Sequence, residues 1–228
     1  MINTVVFDAY GTLFDVAAAA RGAAGEKGRE AFARVWPQVA RDWRLKQLQY
    51  TWLRAVTGAH ADFWSVTRDG LDWALEAADL DDAELRERLL ALYWELEAYP
   101  EVPATLASLR EAGLTTAILS NGSPDMLDGA VESAGLRDLL DAVLSVEAVG
   151  VFKPARAVYD LVAETFGTRP DQVLFVSSNG WDAAAATGCG FETVWVNRAA
   201  EPMDRLPWTP RHVASDLTGI TKLARATS

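Results

Sequence analysis

Four polar clusters in the sequence hold the side-chain types that nucleophilic and acid–base catalysis uses. Together they supply carboxylates, a lysine, hydroxyls and side-chain amides, which can attack, accept a proton or donate a hydrogen bond. In chain order the clusters are Asp8-Ala9-Tyr10-Gly11-Thr12, Ser120-Asn121-Gly122, Lys153-Pro154 with Tyr159 behind it, and Ser177-Ser178-Asn179-Gly180-Trp181-Asp182. Polar residues that follow apolar strands are typical of active sites, because a rigid sheet positions loops that carry the chemistry.

Each cluster taken alone also has a purely structural interpretation. An aspartate after a strand, such as Asp8, most often caps a helix or forms a turn, and Asp182 suits a helix N-terminus. A Ser-Asn-Gly sequence is usually a turn, and Lys153 before a proline is usually a solvated surface charge. The residues favour catalysis only as an ordered set with these spacings.

The elements that must position these clusters are predicted to be parallel β-strands. Five apolar runs lack polar alternation, which is typical of strands buried on both faces of a sheet. They are residues 4–7, 116–119, 142–144, 173–176 and 193–196. Helical stretches lie between them, for example one opened by Pro103 and ended by Gly113. The alternation predicts an α/β fold, a Rossmann-like doubly wound parallel sheet that binds ligands beyond the carboxyl ends of its strands.

Residues 16–98 interrupt this alternation. They contain helical patterns over 29–56, 62–78 and 83–98 and no strand candidate. We therefore expect a core made of residues 1–15 and 99–228, and an all-helical cap of residues 16–98 inserted after the first strand and lying over the strand ends.

The composition excludes several classes of protein. Among 228 residues, 21 are basic and 32 acidic, so a net charge of −11 argues against broad contact with nucleic acid or anionic membranes. A single cysteine, Cys189, excludes an internal disulfide framework and a thiolate metal cage. The first residues lack the basic region of a signal peptide, and no apolar run approaches the roughly 20 residues of a membrane span. These features predict a reduced, soluble, cytoplasmic protein.

Five segments of the chain together resemble one enzyme family. FDAYGTLFD, WRLKQLQYTWLR, LSNGSP, VFKPARAVY and FVSSNGWDA are similar to the motifs of the (S)-2-haloacid dehalogenases, the L-specific type II branch of the haloacid dehalogenase superfamily. The resemblance covers essentially the whole chain. It implies hydrolysis of (S)-2-haloalkanoic acids to (R)-2-hydroxyalkanoic acids, carried out by a homodimer to whose interface Trp36, Trp52 and Trp64 of the helical segment could contribute.

The resemblance implies a role for each matching residue. Asp8 would attack C2 of the substrate and form an ester, steadied by Thr12, with Lys153 keeping it ionised. Asp182 would orient or deprotonate the water that attacks this ester, and Lys153 with Ser177 or Asn179 would hold that water. Tyr159 belongs to the same catalytic set.

The resemblance also implies where the substrate binds. Arg44 would receive the departing halide, with Asn121 as its partner, and the substrate carboxylate would bind around Ser120 and nearby backbone amides. Tyr10, Leu48, Phe63 and Trp181 would line an apolar pocket. Leu45 stands where a close relative would carry glutamine, so we expect some change in substrate range.

Two departures from the superfamily's phosphatase pattern predict chemistry without a metal or other cofactor. Tyr10 stands where phosphatases carry a second aspartate that protonates the leaving group, which a halide does not need. Ser177-Ser178 stands where they carry a Gly-Asp pair that helps to hold magnesium. Three alternatives remain open at this point: a phosphatase of the same fold, a hydrolase that opens a strained ring acid such as azetidine-2-carboxylate, and a binding protein without catalysis.

Overall fold

A parallel β-sheet forms the centre of the protein in the computed structural model, which describes residues 1–227. The strands are β1 (Thr4–Phe7), β2 (Thr115–Ser120), β3 (Ala142–Ser145), β4 (Val173–Ser177), β5 (Glu192–Val196) and β6 (His212–Ala214). Their order across the sheet is β3-β2-β1-β4-β5-β6, and every neighbouring pair is parallel. β1 therefore lies between β2 and β4, where the strand order reverses. The predicted α/β fold with a parallel sheet is confirmed.

Burial along the strands follows their place in the sheet. All residues of the central strands β1 and β4 are buried, as their β-branched and apolar sequences predict. The prediction of burial on both faces is wrong for β3, whose residues are only partly buried, because it is an edge strand with one neighbour. β6 at the opposite edge was not predicted, since its short, partly exposed sequence carries no apolar run.

Helices α1–α5 occupy the chain between β1 and the helix that leads into β2. They are α1 (Ala18–Ala24), α2 (Glu30–Ala33), α3 (Trp36–Thr57), α4 (Phe63–Ala77) and α5 (Ala83–Trp94). The prediction of one continuous helix over residues 29–56 is wrong, because Pro37 lies in the first turn of α3 and a new helix begins there. The sequence also did not predict α1, and α5 ends before residue 98.

The remaining helices alternate with the strands. They are α6 (Val102–Glu111), α7 (Pro124–Ser133), α8 (Arg156–Phe166), α9 (Gly180–Gly188) and α10 (Ile220–Ala226). Proline in the first turn opens α6, as predicted, and proline also lies in the first turn of α7. Of the helices described in residues 1–227, none is long and apolar enough to cross a membrane.

Candidate active site

Asp8 follows β1 directly and lies at the carboxyl edge of the sheet. The register pairs Phe7 with Val176, and the backbone N–H of Asp8 donates to the carbonyl of Val176 at 2.9 Å. The next residue of β4 is Ser177, which is therefore brought beside Asp8. Parallel pairing of two buried strands thus joins the first and last of the predicted clusters.

The two carboxylate oxygens of Asp8 have different surroundings. Oδ1 accepts from the ammonium group of Lys153 at 3.2 Å. Oδ2 accepts from Asn179 Nδ2 at 2.8 Å and from Thr12 Oγ1 at 3.0 Å. Ser177 Oγ lies 3.4 Å from Oδ2, but it is closer to Asp182 Oδ2 and has one hydrogen to donate. Oδ2 is thus held by two donors, whereas Oδ1 has one and is the freer of the two to attack a ligand.

Lys153 is buried between two carboxylates. Its Nζ lies 3.2 Å from Asp8 Oδ1 and 2.8 Å from Asp182 Oδ2, and only 1% of the residue is exposed. Burial alone would lower the pKa of Lys153, but the charges of Asp182 and Asp8 outweigh it and raise this pKa above the ordinary value. The interpretation of Lys153 as a surface charge is therefore wrong.

Asp182 lies in the first turn of α9 and is completely buried. Its Oδ1 accepts from Tyr159 at 2.6 Å, and its Oδ2 accepts from Ser177 Oγ at 3.1 Å. Burial raises the pKa of Asp182, and the charge of Lys153 offsets this rise only in part. Burial, with the nearby charge of Asp182, also raises the pKa of Tyr159 well above its ordinary value, so Tyr159 stays a neutral donor.

Thr12 connects the loop after β1 to the loop after β4. Its Oγ1 accepts from the backbone N–H of Ser178 at 2.8 Å and donates to Asp8 Oδ2. Gly11 has a φ of +88°, and a Cβ there would lie 3.0 Å from Ser178 Oγ. Glycine thus permits the close approach that lets Thr12 steady Asp8.

Arg44 reaches this edge from α3. Its Nη2 lies 3.2 Å from the carbonyl of Tyr10 and 3.4 Å from Asn179 Oδ1, and its Nη1 donates to Gln47 Oε1 at 2.7 Å. Asn179 is therefore shared between Arg44 and Asp8. Asn121, which the resemblance implies as the partner of Arg44 at the halide, bonds to the backbone of Lys153. A shared contact of Arg44 and Asn121 with a halide stays a prediction.

Ser120 ends β2 and Asn121 follows it, and both are buried. Ser120 Oγ accepts from the backbone N–H of Gly122 at 3.1 Å, and Asn121 Oδ1 accepts from the backbone N–H of Lys153 at 2.9 Å. The latter bond fixes the loop that carries Lys153. Contacts of these side chains with a substrate stay predictions.

Aromatic side chains surround the site on the side of the helical segment. The rings of Tyr10 and Phe63 have centroids 5.5 Å apart, and Tyr10 stacks on Tyr93 at 5.7 Å. The Tyr10 hydroxyl is buried with no hydrogen-bond partner among residues 1–227. Burial raises the pKa of Tyr10 well above its ordinary value, so it remains neutral.

Leu48 and Trp181, also assigned to the pocket, lie on α3 and on α9. Leu48 is half-buried on α3, one turn before Trp52, which meets Trp181 edge-on at 5.4 Å. Leu45 is 55% exposed, which does not support the expected effect on substrate range through direct contact.

Several buried residues near the site were not predicted. Gln47, Thr67 and Tyr93 form hydrogen bonds behind Arg44. The only sequence signal was the spacing of Gln47, three residues after Arg44 and so on the same side of a helix.

The side chains of the site that could serve as metal ligands do not fit a divalent metal. Asp8 and Asp182 share the ammonium group of Lys153, so a cation of the protein itself engages both carboxylates. A Mg²⁺ site requires several oxygen ligands in strict geometry. Within residues 1–227 no group of three or more His, Cys, Asp and Glu side chains could hold a metal ion.

Comparison with known proteins places this arrangement in a family. The model of the haloacid dehalogenase-like hydrolases matches residues 2–190. The chain is 42% identical to (S)-2-haloacid dehalogenase 1 of a Pseudomonas species, strain CBS-3, over 97% of this chain and 96% of the relative. It is 46% identical to the (S)-2-haloacid dehalogenase of Xanthobacter autotrophicus, over 88% of this chain and 77% of that protein.

A solved structure agrees with these sequence relationships. L-2-haloacid dehalogenase from Xanthobacter autotrophicus with chloropropionic acid covalently bound superposes with a TM-score of 0.90, at 39% identity and with 100% of both chains covered. The resemblance inferred from the motifs is confirmed. The chain belongs to the haloacid dehalogenase-like hydrolases and, among them, to the (S)-2-haloacid dehalogenases.

Proposed function

We propose that the protein hydrolyses (S)-2-haloalkanoic acids to (R)-2-hydroxyalkanoic acids through an ester on Asp8. The observation that carries the proposal is the buried pair of Asp8 and Lys153, in which one carboxylate oxygen has a single donor and the other is held by two. The chloropropionic acid covalently bound in the related Xanthobacter enzyme supports an ester as the intermediate.

The first step is a substitution at C2. Asp8 Oδ1 attacks the carbon from the side opposite the halogen, the C–O bond forms, and the halide leaves with the electron pair of the broken bond. This step needs no proton, which suits a site where Tyr10 replaces an acidic residue. Attack from the opposite side inverts C2, and the fixed position of Asp8 supplies much of the rate through alignment.

The second step hydrolyses the ester without touching C2. Water attacks the carbonyl carbon of Asp8 while Asp182 takes one of its protons. The tetrahedral intermediate then breaks the bond between this carbon and Oδ1, and the departing alkoxide of the hydroxy acid takes the proton back from Asp182. Asn179 and Thr12 are placed to stabilise the developing oxyanion, because both donate to Oδ2, the carbonyl oxygen of the ester. Lys153 lies beside Oδ1, the oxygen that leaves with the product. Inversion from the first step is therefore retained, and the oxygen of the water stays in Asp8.

Arg44 receives the departing halide in this proposal, with Asn121 nearby, and Ser120 with adjacent amides binds the substrate carboxylate. Tyr10, Leu48, Phe63 and Trp181 surround the alkyl part. Arg44 comes from α3, and it contacts the loops after β1 and β4. These contacts support the assignment of residues 16–98 as a cap over a core of residues 1–15 and 99–228.

A single-turnover experiment in H₂¹⁸O tests this mechanism. Excess protein is mixed with (S)-2-chloropropionate in the presence of a metal chelator, and chloride, lactate and a peptide containing Asp8 are analysed. We expect chloride release, unlabelled (R)-lactate and ¹⁸O in Asp8. Label in the first lactate would show that water attacks C2, and loss of activity with the chelator would contradict catalysis without metal. Turnover of p-nitrophenyl phosphate with magnesium would favour a phosphatase instead.

The proposal includes a homodimer formed through an apolar face of α3. Leu45, Leu53 and Val56 are exposed at spacings that bring them to one side of this helix, and Val56 is 87% exposed. Trp52 and Trp64, which the sequence suggested for this role, pack within the chain against Trp181 and Trp94.

We also propose that the protein works in the cytoplasm. Cys189 is its single cysteine, and burial raises the pKa of this thiol, so it is held in the unreactive protonated form. Cell fractionation with an antibody against the protein tests this location, and recovery outside the cytoplasmic fraction would contradict it.

A further inference from the structure

Gln47 is a buried polar residue that the proposed mechanism leaves without a role. It lies on α3, one turn after Arg44, and only 1% of it is exposed. Its Oε1 accepts from Arg44 Nη1 at 2.7 Å, which is shorter than the bonds that Arg44 makes to Tyr10 and Asn179. A buried amide at this position costs free energy unless all its groups are paired, so its other bonds matter.

The amide of Gln47 contacts two hydroxyl groups, and that of Thr67 sets its orientation. Its Nε2 donates to Thr67 Oγ1 at 2.8 Å, whereas the Tyr93 hydroxyl lies 3.1 Å from Nε2 and 3.3 Å from Oε1 and suits either atom. The hydroxyl of Thr67 donates its one hydrogen to the carbonyl of Phe63 at 2.7 Å, so towards Gln47 it can act only as an acceptor. The amino group of Gln47 must therefore face Thr67, and its carbonyl oxygen must face Arg44.

Thr67 is itself held firmly where α3 meets α4. The indole N–H of Trp43 donates to the carbonyl of Thr67 at 2.8 Å. One turn further along α4, a Cβ on Gly70 would lie 3.2 Å from the backbone nitrogen of Gln47, so glycine allows the two helices to approach closely. The position of Thr67 is thus fixed by the backbones of both helices.

The other end of the chain of hydrogen bonds is the nucleophile. Arg44 Nη2 donates to Asn179 Oδ1, and Asn179 Nδ2 donates to Asp8 Oδ2. The donors point outward from Arg44 along two arms: one runs through Gln47 and Thr67 to the carbonyl of Phe63, and the other runs through Asn179 to the carboxylate. Arg44 is thus the common donor of one continuous series. Bonds in such a series strengthen one another in a low-dielectric interior.

We propose that Gln47, oriented by Thr67, is the positioning residue that aims the guanidinium group of Arg44 at the departing halide. The inference rests on the proposed function, because it assigns Gln47 to the halide-receiving step. Negative charge on the halide develops only in the transition state, so a guanidinium group fixed beforehand lowers the barrier without a cost of reorganisation. An arginine free to change rotamer would lose this advantage while still attracting the substrate anion.

Matched threonine variants test the inference. Thr67→Val removes the hydroxyl at nearly constant volume, Thr67→Ser keeps it, and Thr51→Val is the control. Thr51 is a fully buried threonine of α3 whose hydroxyl donates to the carbonyl of Leu48 and lies outside the series. For each variant kcat and KM are measured with (S)-2-chloropropionate, and chloride binding is measured by broadening of the ³⁵Cl resonance.

We expect Thr67→Val to lower kcat by about tenfold to a hundredfold, the scale of a misplacement near 1 Å, with a smaller change in KM. Chloride affinity should fall with it, and Thr67→Ser and Thr51→Val should stay near the wild type in both measurements. Gln47→Leu should reproduce Thr67→Val, since it removes the acceptor for Arg44.

Three results would overturn the inference. One is wild-type kcat and chloride affinity in Thr67→Val, and another is an equal loss in Thr67→Ser. The third is a loss in Thr51→Val of the same size, which would show a general response to a polar deletion in α3. Chloride binding does not depend on turnover, so this arm still decides the matter if the wild type releases no halide and the proposed function fails.

Discussion

The hydroxyl of Tyr159 donates a hydrogen bond of 2.6 Å to Oδ1 of Asp182, in a part of the protein that solvent does not reach. Burial raises the pKa of this carboxyl group, while the bonds from Lys153 and Tyr159 favour its charged form. The proposed base of the second step thus keeps its charge through the donors around it.

Removing the Tyr159 hydroxyl should therefore weaken the base. In Tyr159→Phe the pKa of Asp182 should rise further, because a donor to the charged form is lost. The acidic limb of the kcat profile should move to higher pH, and hydrolysis of the ester should become slower than its formation. Rapid quench and mass spectrometry of the protein would detect the accumulated ester. An unmoved acidic limb would contradict this role of Tyr159.

Replacing Lys153 by methionine should destabilise the protein in a pH-dependent way. Asp8 and Asp182 would be buried together without a cation, and breaking such a cluster costs about 3–5 kcal/mol. The charge of Asp8 raises the pKa of Asp182, and in the variant the charge of Lys153 no longer offsets this rise, so the folded variant would bind protons more readily than the unfolded chain. Its stability should then recover as the pH falls.

Urea unfolding at about pH 7 and about pH 5 would measure this recovery, relative to the wild type. Lys222→Met is the matched control, because Lys222 is exposed on α10. A loss of stability in Lys153→Met that is the same at both pH values would argue against the pairing of the carboxylates through Lys153.

The wild-type enzyme should keep its activity well into the alkaline range. The charges of Asp182 and Asp8 overcome the effect of burial and hold the pKa of Lys153 above its ordinary value of 10.5. Lys153 thus contributes stability that is fully present below its unfolded-state pKa and is lost as the pH rises through the folded one. Activity should fall in parallel with that loss. A kcat profile with a basic limb below the ordinary lysine pKa would show that another group titrates.

Activity should also fall at acidic pH, and the midpoint of this fall should lie above the ordinary pKa of an aspartate. Burial raises the pKa of Asp182 above its usual 3.8, so the proposed base becomes protonated sooner as the pH decreases. The same raised pKa means that ionisation of Asp182 reduces stability as the pH rises through that window. Single-turnover rates separate the two steps, and only hydrolysis of the ester should show this acidic limb.

Gly122→Ala should narrow the substrate pocket. A Cβ at this position would lie 2.9 Å from Tyr10 Cε2 and 2.9 Å from Leu127 Cγ, so these side chains must move. Overpacking of this kind costs about 1–3 kcal/mol of stability. We expect KM to rise more for 2-chlorobutyrate than for 2-chloropropionate, because a displaced Tyr10 would occupy space needed by the longer chain. Gly219→Ala, where a Cβ meets nothing within 4 Å, serves as the comparison. Equal changes for both substrates would argue against Tyr10 as a pocket wall.

Leu53→Arg should dissociate the proposed dimer. Leu53 is 55% exposed on the apolar face of α3, and a charge there would have to be buried between two subunits. Sedimentation velocity should show the wild type as a dimer and the variant as a monomer. Met203→Arg changes an exposed apolar residue outside this helix and should leave the mass unchanged. A monomeric wild type would reject the dimer.

Sequence reasoning found the residues at the strand ends, because two strong signals coincide there. The apolar runs of β1 and β4 end abruptly, and the residues that follow lie at one edge of any parallel sheet. Asp8, Ser177 and Asp182 are close together for this reason alone. Lys153 was also placed correctly, although its complete burial is a consequence of tertiary packing.

The partners of Arg44 could not be predicted in this way. They depend on the angle at which α3 crosses the sheet edge and on how closely α4 packs against α3. Gln47 and Thr67 lie 20 residues apart and meet only because of this packing. The edge strands were hard to predict for a different reason. β6 is too short and too exposed to have an apolar pattern, and β3 is less buried than its sequence suggests.

The position of β4 beside β1 has a consequence for protein synthesis. Asp8 leaves the ribosome early, whereas Lys153 and Ser177 follow 145 and 169 residues later. Domains fold as units during translation, so the unfinished chain lacks the buried surroundings that make this aspartate reactive. Under the proposed mechanism, Asp8 in an unfinished chain should therefore react poorly with a haloacid, and its reactivity should appear only together with the groups that hydrolyse the ester.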